Sequence, residues 1–184
     1  MAGPTLVIEL AEPVSSAALS EFGALMRGLS THFEQLREGY FDVNVPMERL
    51  GTEAAGLDAQ QDDGGQPFLV CLMGPGVGDE SIFEAEHADE PEVEAVLGFK
   101  PTHAVNVSAG CNRGIDHVAT ALLTAAVVDV LGGLVKAELA EGQEAVVAGL
   151  PGVLGLTDEG CPMVLGTAGF LRAWVAQPGF RLVK

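Results

Sequence analysis

His103, Cys111, Asp116 and His117 lie within fifteen positions and are of the residue types that ligate metals or carry nucleophilic catalysis. Metal ligation needs a spacing that brings the donors to one point, and neither H-E-x-x-H nor any C-x-x-C is present. Cys111 near a histidine could pair a nucleophile with a base. A buried cysteine acting as a small hydrophobe explains it as well. The segment Ser108-Ala109-Gly110-Cys111-Asn112-Arg113-Gly114 runs from a strand into the strongest helix, where free backbone N–H groups and the helix dipole can hold an anion. Arg113 favours such a site, while Asp116 opposes it by competing for the same donors. Ser108, Cys111, Asn112, Arg113 and His117 therefore form one candidate ligand site, for an anion, a small molecule or a substrate. A second Gly-rich turn, Gly74-Pro75-Gly76-Val77-Gly78, follows an apolar strand as nucleotide-binding loops do. It has no Lys-Ser/Thr pair and leads into Asp79 and Glu80, which repel phosphate, so a plain turn is expected. Without a G-x-S-x-G turn or a convergent acid, base and nucleophile, the chain reads as a non-enzymatic protein that needs no metal or cofactor.

Charge is more informative than any of these motifs. Residues 53–95 carry twelve of the 26 carboxylates and no Lys or Arg. No D-x-[DN]-x-[DN]-G loop occurs among them, which argues against calcium. A run of acids can be a merely solvated face, but solubility is well served by mixed signs, and a field of one sign selects partners. Asp58, Asp62, Asp63, Asp79, Glu80, Glu84, Glu86, Asp89 and Glu90 are the candidate partner-binding residues, and the expected partner is a basic protein. The formal net charge of −17 disfavours nucleic acid and anionic membranes, whose phosphates require Lys and Arg.

With 184 residues and 48% hydrophobic content the chain can bury a full core and is too apolar for a disordered acidic tail. One domain over residues 1–184 is expected, with a long surface connection at 46–66. Three widely spaced cysteines suggest reduced thiols rather than a disulfide framework. The start MAGPTLVIELAEP has neither a basic n-region nor a long apolar h-region, so a cytoplasmic location is expected. The apolar run 119–131 is short of the roughly 20 residues that span a bilayer and reads as a buried helix.

Elements to position these residues can be read along the chain. Thr5 to Leu10 is a strand, Ser15 to Leu29 an N-capped amphipathic helix, and Tyr40 to Val45 a strand ended by Pro46. Pro67 to Met73 is apolar throughout and reads as a central strand covered on both faces. A short helix opens at Pro91 and stops at Gly98. Thr102 to Ser108 is a strand, Asp116 caps a helix from His117 to Leu131 that ends at Gly132-Gly133, and Leu134 to Leu139 is a strand. In the tail, Pro162 to Leu165 reads as strand, Thr167 to Ala176 as helix and Phe180 to Val183 as a last strand. The expectation is an α+β fold: a mixed, largely antiparallel sheet of about six strands, with about three helices mostly on one face. The β-α-β units 5–45 and 102–139 are of similar length, as in the two halves of a ferredoxin-like fold.

Two blocks, PTHAVNVSAGCNRGIDHVATALLTAAVVDVLGG at 101–133 and FLRAWVAQPGFRLVK at 170–184, resemble a bacterial family known only as a domain of unknown function. Its small acidic cytosolic members look similar to immunity proteins of toxin systems, by size and charge. The resemblance implies an immunity or inhibitor protein that neutralises a basic toxin, such as a nuclease, by occluding its active site. The apolar helix 117–131 or the tail helix could instead serve a homodimer.

Overall fold

The computed structural model describes residues 3–51, 64–87, 89–157 and 160–183. The strands are β1 (Thr5–Leu10), β2 (His32–Arg37), β3 (Tyr40–Val45), β4 (Gln66–Met73), β5 (His103–Ala109), β6 (Leu134–Glu138), β7 (Val153–Thr157) and β8 (Met163–Gly166). The helices are α1 (Ser16–Leu29), α2 (Glu80–His87), α3 (Pro91–Leu97), α4 (Gly114–Leu131), α5 (Glu144–Val147) and α6 (Ala168–Val175), with a 3-10 turn at Met47–Leu50. The strands form one sheet in the order β2-β3-β4-β5-β1-β6-β8-β7. Every pairing among the described residues is antiparallel.

The α+β class with a largely antiparallel sheet is thus present, but among the described residues it has eight strands rather than about six, and more helices than three. Among the described residues the sheet is not mixed. Of the two expected β-α-β units, the second is real in split form: β5 and β6 flank β1, which is antiparallel to both, and α4 connects them. The first is not. Because β4 and β5 stand between β1 and β3, those two strands run in opposite directions, and α1 feeds instead the edge strand β2.

Local signals account for the element ends. The Ser15 hydroxyl accepts the Ala18 N–H and starts α1, while Pro91 opens α3 and Gly98, at φ 78°, closes it. Gly133 (φ 86°) lets β6 turn onto β1, where an added Cβ would sit 2.7 Å from the Glu9 carbonyl oxygen. Arg113, not Asp116, is the N-cap of α4; Asp116 lies one turn in and accepts the Arg113 backbone N–H. Phe180 to Val183 is not a strand, since the Leu182 N–H goes to a histidine ring rather than to a neighbouring strand.

Strand alternation divides the core. Leu6, Ile8, Val105, Val107 and Val135 face α1, α4 and α6 in the main cluster, which also holds Phe22, Leu123, Phe170 and Trp174. Residues on the opposite face meet α2 through Met73, Phe83 and Ala104, and α3 through Val93, Leu97 and Leu165. Helices therefore cover both faces, in place of the single face expected. The coverage by α2 and α3 is partial, so β4 is not buried on both sides: Leu69 remains 43% exposed.

Among the described residues, α4 is the one helix long and apolar enough to cross a membrane. It is buried on nearly all sides, packing on α1, α6, β1 and β5, and its polar Thr120 and Thr124 hydroxyls bond to carbonyls one turn back. α6 likewise turns its apolar face inward onto α4 and β8.

Candidate functional site

Four charged or titratable side chains converge where α2 and α3 meet the sheet, and none of them except Glu90 stood out in the sequence. Glu9 (β1) and Lys136 (β6) point from neighbouring strands to the same face, His87 ends α2, and Glu90 precedes α3. The Lys136 ammonium lies 2.8 Å from Glu9 Oε1, contacts Glu90 Oε2, and is 3.4 Å from His87 Nδ1. His87 Nδ1 is also 3.1 Å from Glu9 Oε1. Glu9 and His87 are wholly buried and Lys136 nearly so.

Burial pushes the Glu9 carboxyl up, but the hydrogen bond from His87 and the charge of Lys136 outweigh it and hold the group below its ordinary value of 4.5. Glu9 is therefore an anion under a helix layer. Glu9, His87 and Glu90 offer three ligand atoms within 4.8 Å of one another, and the Lys136 ammonium among them supplies the balancing positive charge. The cluster ties α2 and α3 electrostatically to the two central strands. A signal for it existed: Glu9 in TLVIEL and Lys136 in LVKAEL are single charges inside apolar strands.

A pocket of about 230 Å³ adjoins this cluster at the foot of β1, β6 and β8. Thr5, Val7, Lys136, Glu138, Met163 and Val183 line it, so the Lys136 stem is shared between pocket and cluster.

The acids expected to bind a partner divide by environment. Asp58, Asp62 and Asp63 lie outside the described residues. Asp79 pairs with Arg37, Asp89 lies 3.1 Å from Lys100, and Glu90 pairs with Lys136. Glu80 is exposed, yet one of its oxygens accepts the Gly76 N–H at 2.8 Å. Glu84 and Glu86 are exposed on α2, with Glu86 3.8 Å from His87 Nε2.

The Gly74–Gly78 turn is closed by a Gly74 N–H to Gly78 carbonyl bond and wraps Arg37, whose guanidinium donates to the Val77 and Leu72 carbonyls. Asp79 at φ 52° continues this turn. Its carboxylate accepts the Cys71 thiol at 3.2 Å, which together with Arg37 holds Asp79 below its usual range. Burial and that same bond push the Cys71 thiol up to about 12, leaving it protonated and poorly nucleophilic at neutral pH.

At the 108–117 segment, the donors expected for an anion serve the protein itself. Asp116 accepts from the Arg113 backbone at 2.6 Å and from its guanidinium at 3.1 and 3.2 Å, and Arg113 also donates to Gln66. Ser108 lies on the opposite sheet face from α4 and accepts the Thr5 hydroxyl at 2.9 Å. Cys111 and Asn112 are half-buried, and Asn112 Oδ1 has no hydrogen-bond partner among the described residues.

His117 sits apart from that loop, buried on α4, with Nδ1 accepting the Leu182 N–H at 3.2 Å. Burial, aided by the charge of Arg181 and opposed by Asp116, lowers its pKa from the ordinary 6.5. A neutral ring can accept at Nδ1; an imidazolium cannot. Because the unfolded chain takes up this proton first, stability is fully present above pH 6.5 and is lost as pH falls below it toward the depressed folded value. Urea unfolding across this window is expected to show a falling midpoint, flattened in His117→Gln, whose amide oxygen can still accept the Leu182 N–H.

No curated protein and no solved structure matches the chain. A family of unknown function, DUF6368, matches residues 2–184. The resemblance expected from the 101–133 and 170–184 blocks thus extends over the whole fold, including the strands and helices that assemble the Glu9–Lys136 cluster, and the chain belongs to that family.

Proposed function

We propose that this is a non-enzymatic acidic binding protein whose α2–α3 layer docks on a basic protein partner, in the manner of an immunity protein that occludes the phosphate-binding cleft of a toxin. The observation that carries this reading is the helix layer itself. It raises Glu80, Glu84 and Glu86 to the surface, and no Lys or Arg occurs between Arg49 and Lys100 to balance them. Complementary fields raise association rates and let carboxylates take the place of substrate phosphates. Asp79 and Asp89 are paired with Arg37 and Lys100, and Glu90 shares Lys136 with Glu9, whereas Glu84 and Glu86 on α2 have no Lys or Arg partner among the described residues.

The test searches the host genome for a basic toxin-like protein encoded beside this one and co-expresses the two; the absence of such a neighbour counts against the reading. Wild type is expected to form a complex that associates more slowly as salt rises, and to protect the host. Glu84→Lys/Glu86→Lys is expected to weaken that complex by about tenfold or more, mostly through the association rate. A complex indifferent to salt and to the double reversal would sink the reading.

A second reading, a small-molecule or anion site at 108–117, draws on the unpartnered buried atoms Asn112 Oδ1 and His117 Nε2. It calls for a ligand that raises the melting temperature of wild type and not of Arg113→Ala; no shift across an anion and metabolite screen counts against it.

A further inference from the structure

Among the described residues, the α2–α3 layer leaves part of its sheet face uncovered. α2 packs on β4 and β5 near Met73 and Ala104, and α3 packs on β7 and β8. Strand register places Glu34, Asp42, Leu69, Ser108 and Thr5 in one row across β2, β3, β4, β5 and β1. Glu34, Leu69 and Thr5 in that row are exposed. The pocket lies at the β1 end of the row, where Glu138 stands exposed at its wall.

We infer that this pocket receives an arginine side chain of the basic partner, its aliphatic stem against Val7, Met163 and Val183 and its guanidinium on the Glu138 carboxylate. The inference rests on the acidic-binder reading and names where on this face the partner is anchored. Size supports it: at about 230 Å³ the pocket is below the roughly 300–1,000 Å³ of sites for drug-sized ligands, and suits a single side chain. Its chemistry is that of a long amphipathic side chain, apolar along the walls and charged at one place. The local charge has the right sign as well. Among the described residues Lys136 is the sole cation lining the pocket, and it is already engaged by Glu9 and Glu90, so Glu138 is left as the free charge there. An anionic ligand would meet Glu138 and find the ammonium occupied. Arginine side chains seated in such pockets are frequent anchors of protein interfaces.

The probe is a capped Ala-Arg-Ala tripeptide titrated into the full chain, followed by backbone amide NMR, with the citrulline analogue as a neutral control of the same shape. The arginine peptide is expected to shift the amides of Thr5, Val7, Glu138 and Met163, and the citrulline peptide to leave them in place. Glu138→Gln, a surface change that spares the core, is expected to weaken binding about fivefold, the scale of one partly exposed ion pair. Equal binding of both peptides, or an unchanged affinity in Glu138→Gln, overturns the inference. Shifts confined to α2 overturn the pocket while leaving the acidic-binder reading standing. Pocket binding by the peptide with no salt-sensitive complex in co-expression supports the pocket and sinks that reading.

Discussion

Lys136→Met is expected to destabilise the protein by about 3–5 kcal/mol, the cost of leaving a buried carboxylate without its counter-charge. For a chain of this length that is a fall in Tm of roughly 6–20 °C. Glu9 has no exposure to water, one of its oxygens has no hydrogen-bond partner, and the other would keep only His87 at 3.1 Å. Methionine fills much of the space of the lysine stem, so a lost cavity contact cannot account for a drop of this size. Adding Glu9→Gln removes the uncompensated charge, and the double variant is expected to regain about 1–2 kcal/mol, a coupling typical of residues in direct contact. Urea unfolding of the four proteins measures the cycle. Additive losses would mean that the two side chains do not act as a pair. Because Lys136 also holds Glu90, hydrogen exchange in α2 and α3 is expected to rise in Lys136→Met before it rises in the central strands.

The same pair shows what could and could not be read along the chain. Each charge is visible as an interruption in an apolar strand, but their meeting depends on the register of β1 with β6, a pairing across more than a hundred residues of chain. Local signals did better. The Ser15 cap, the Pro91 start and Gly98 stop of α3, and the Gly132-Gly133 end of α4 all depend on neighbours within a turn. The strand β2 was missed because HFEQLR is an edge strand with five of its six residues polar or exposed and a register shift near its end, so alternation is absent. The helix α2 was hidden among acids, since only Phe83 and His87 mark its buried side. The tail was mistaken for a strand for the opposite reason. Phe180-Arg181-Leu182-Val183 has a strand-like composition, but Phe180 is taken by Trp174 and the Leu182 N–H by His117. The acidic stretch was legible as charge; that a third of its candidates would spend that charge on Arg37, Lys100 and Lys136 was not, because those cations lie outside it in sequence.

Trp174→Ala is expected to cost about 3–5 kcal/mol, as for other large aromatic side chains removed from a core. Trp174 is almost fully buried, stacks on Phe170 with ring centroids 5.3 Å apart, and receives Phe180 edge-on at 5.2 Å. The Phe180 contact is the first of three that hold the tail. Further on, the Arg181 carbonyl accepts from Gln143 at 2.7 Å and the Leu182 N–H donates to His117. Leu182 and Val183 then form one side of the Glu138 pocket. Loss of the tryptophan therefore acts on stability and on the pocket together. Trp174→Phe separates the two: it keeps an aromatic ring between Phe170 and Phe180, leaves a smaller cavity, and is expected to lose about 1–2 kcal/mol, a moderate mutational effect. With the fold retained, amide exchange at Leu182 and Val183 should stay slow in Trp174→Phe. In Trp174→Ala, studied below its unfolding transition, it should become fast, and the arginine peptide should lose its affinity for the pocket. Slow tail exchange in Trp174→Ala would show that Gln143 and His117 suffice to hold the rim, and would detach the pocket from the aromatic stack.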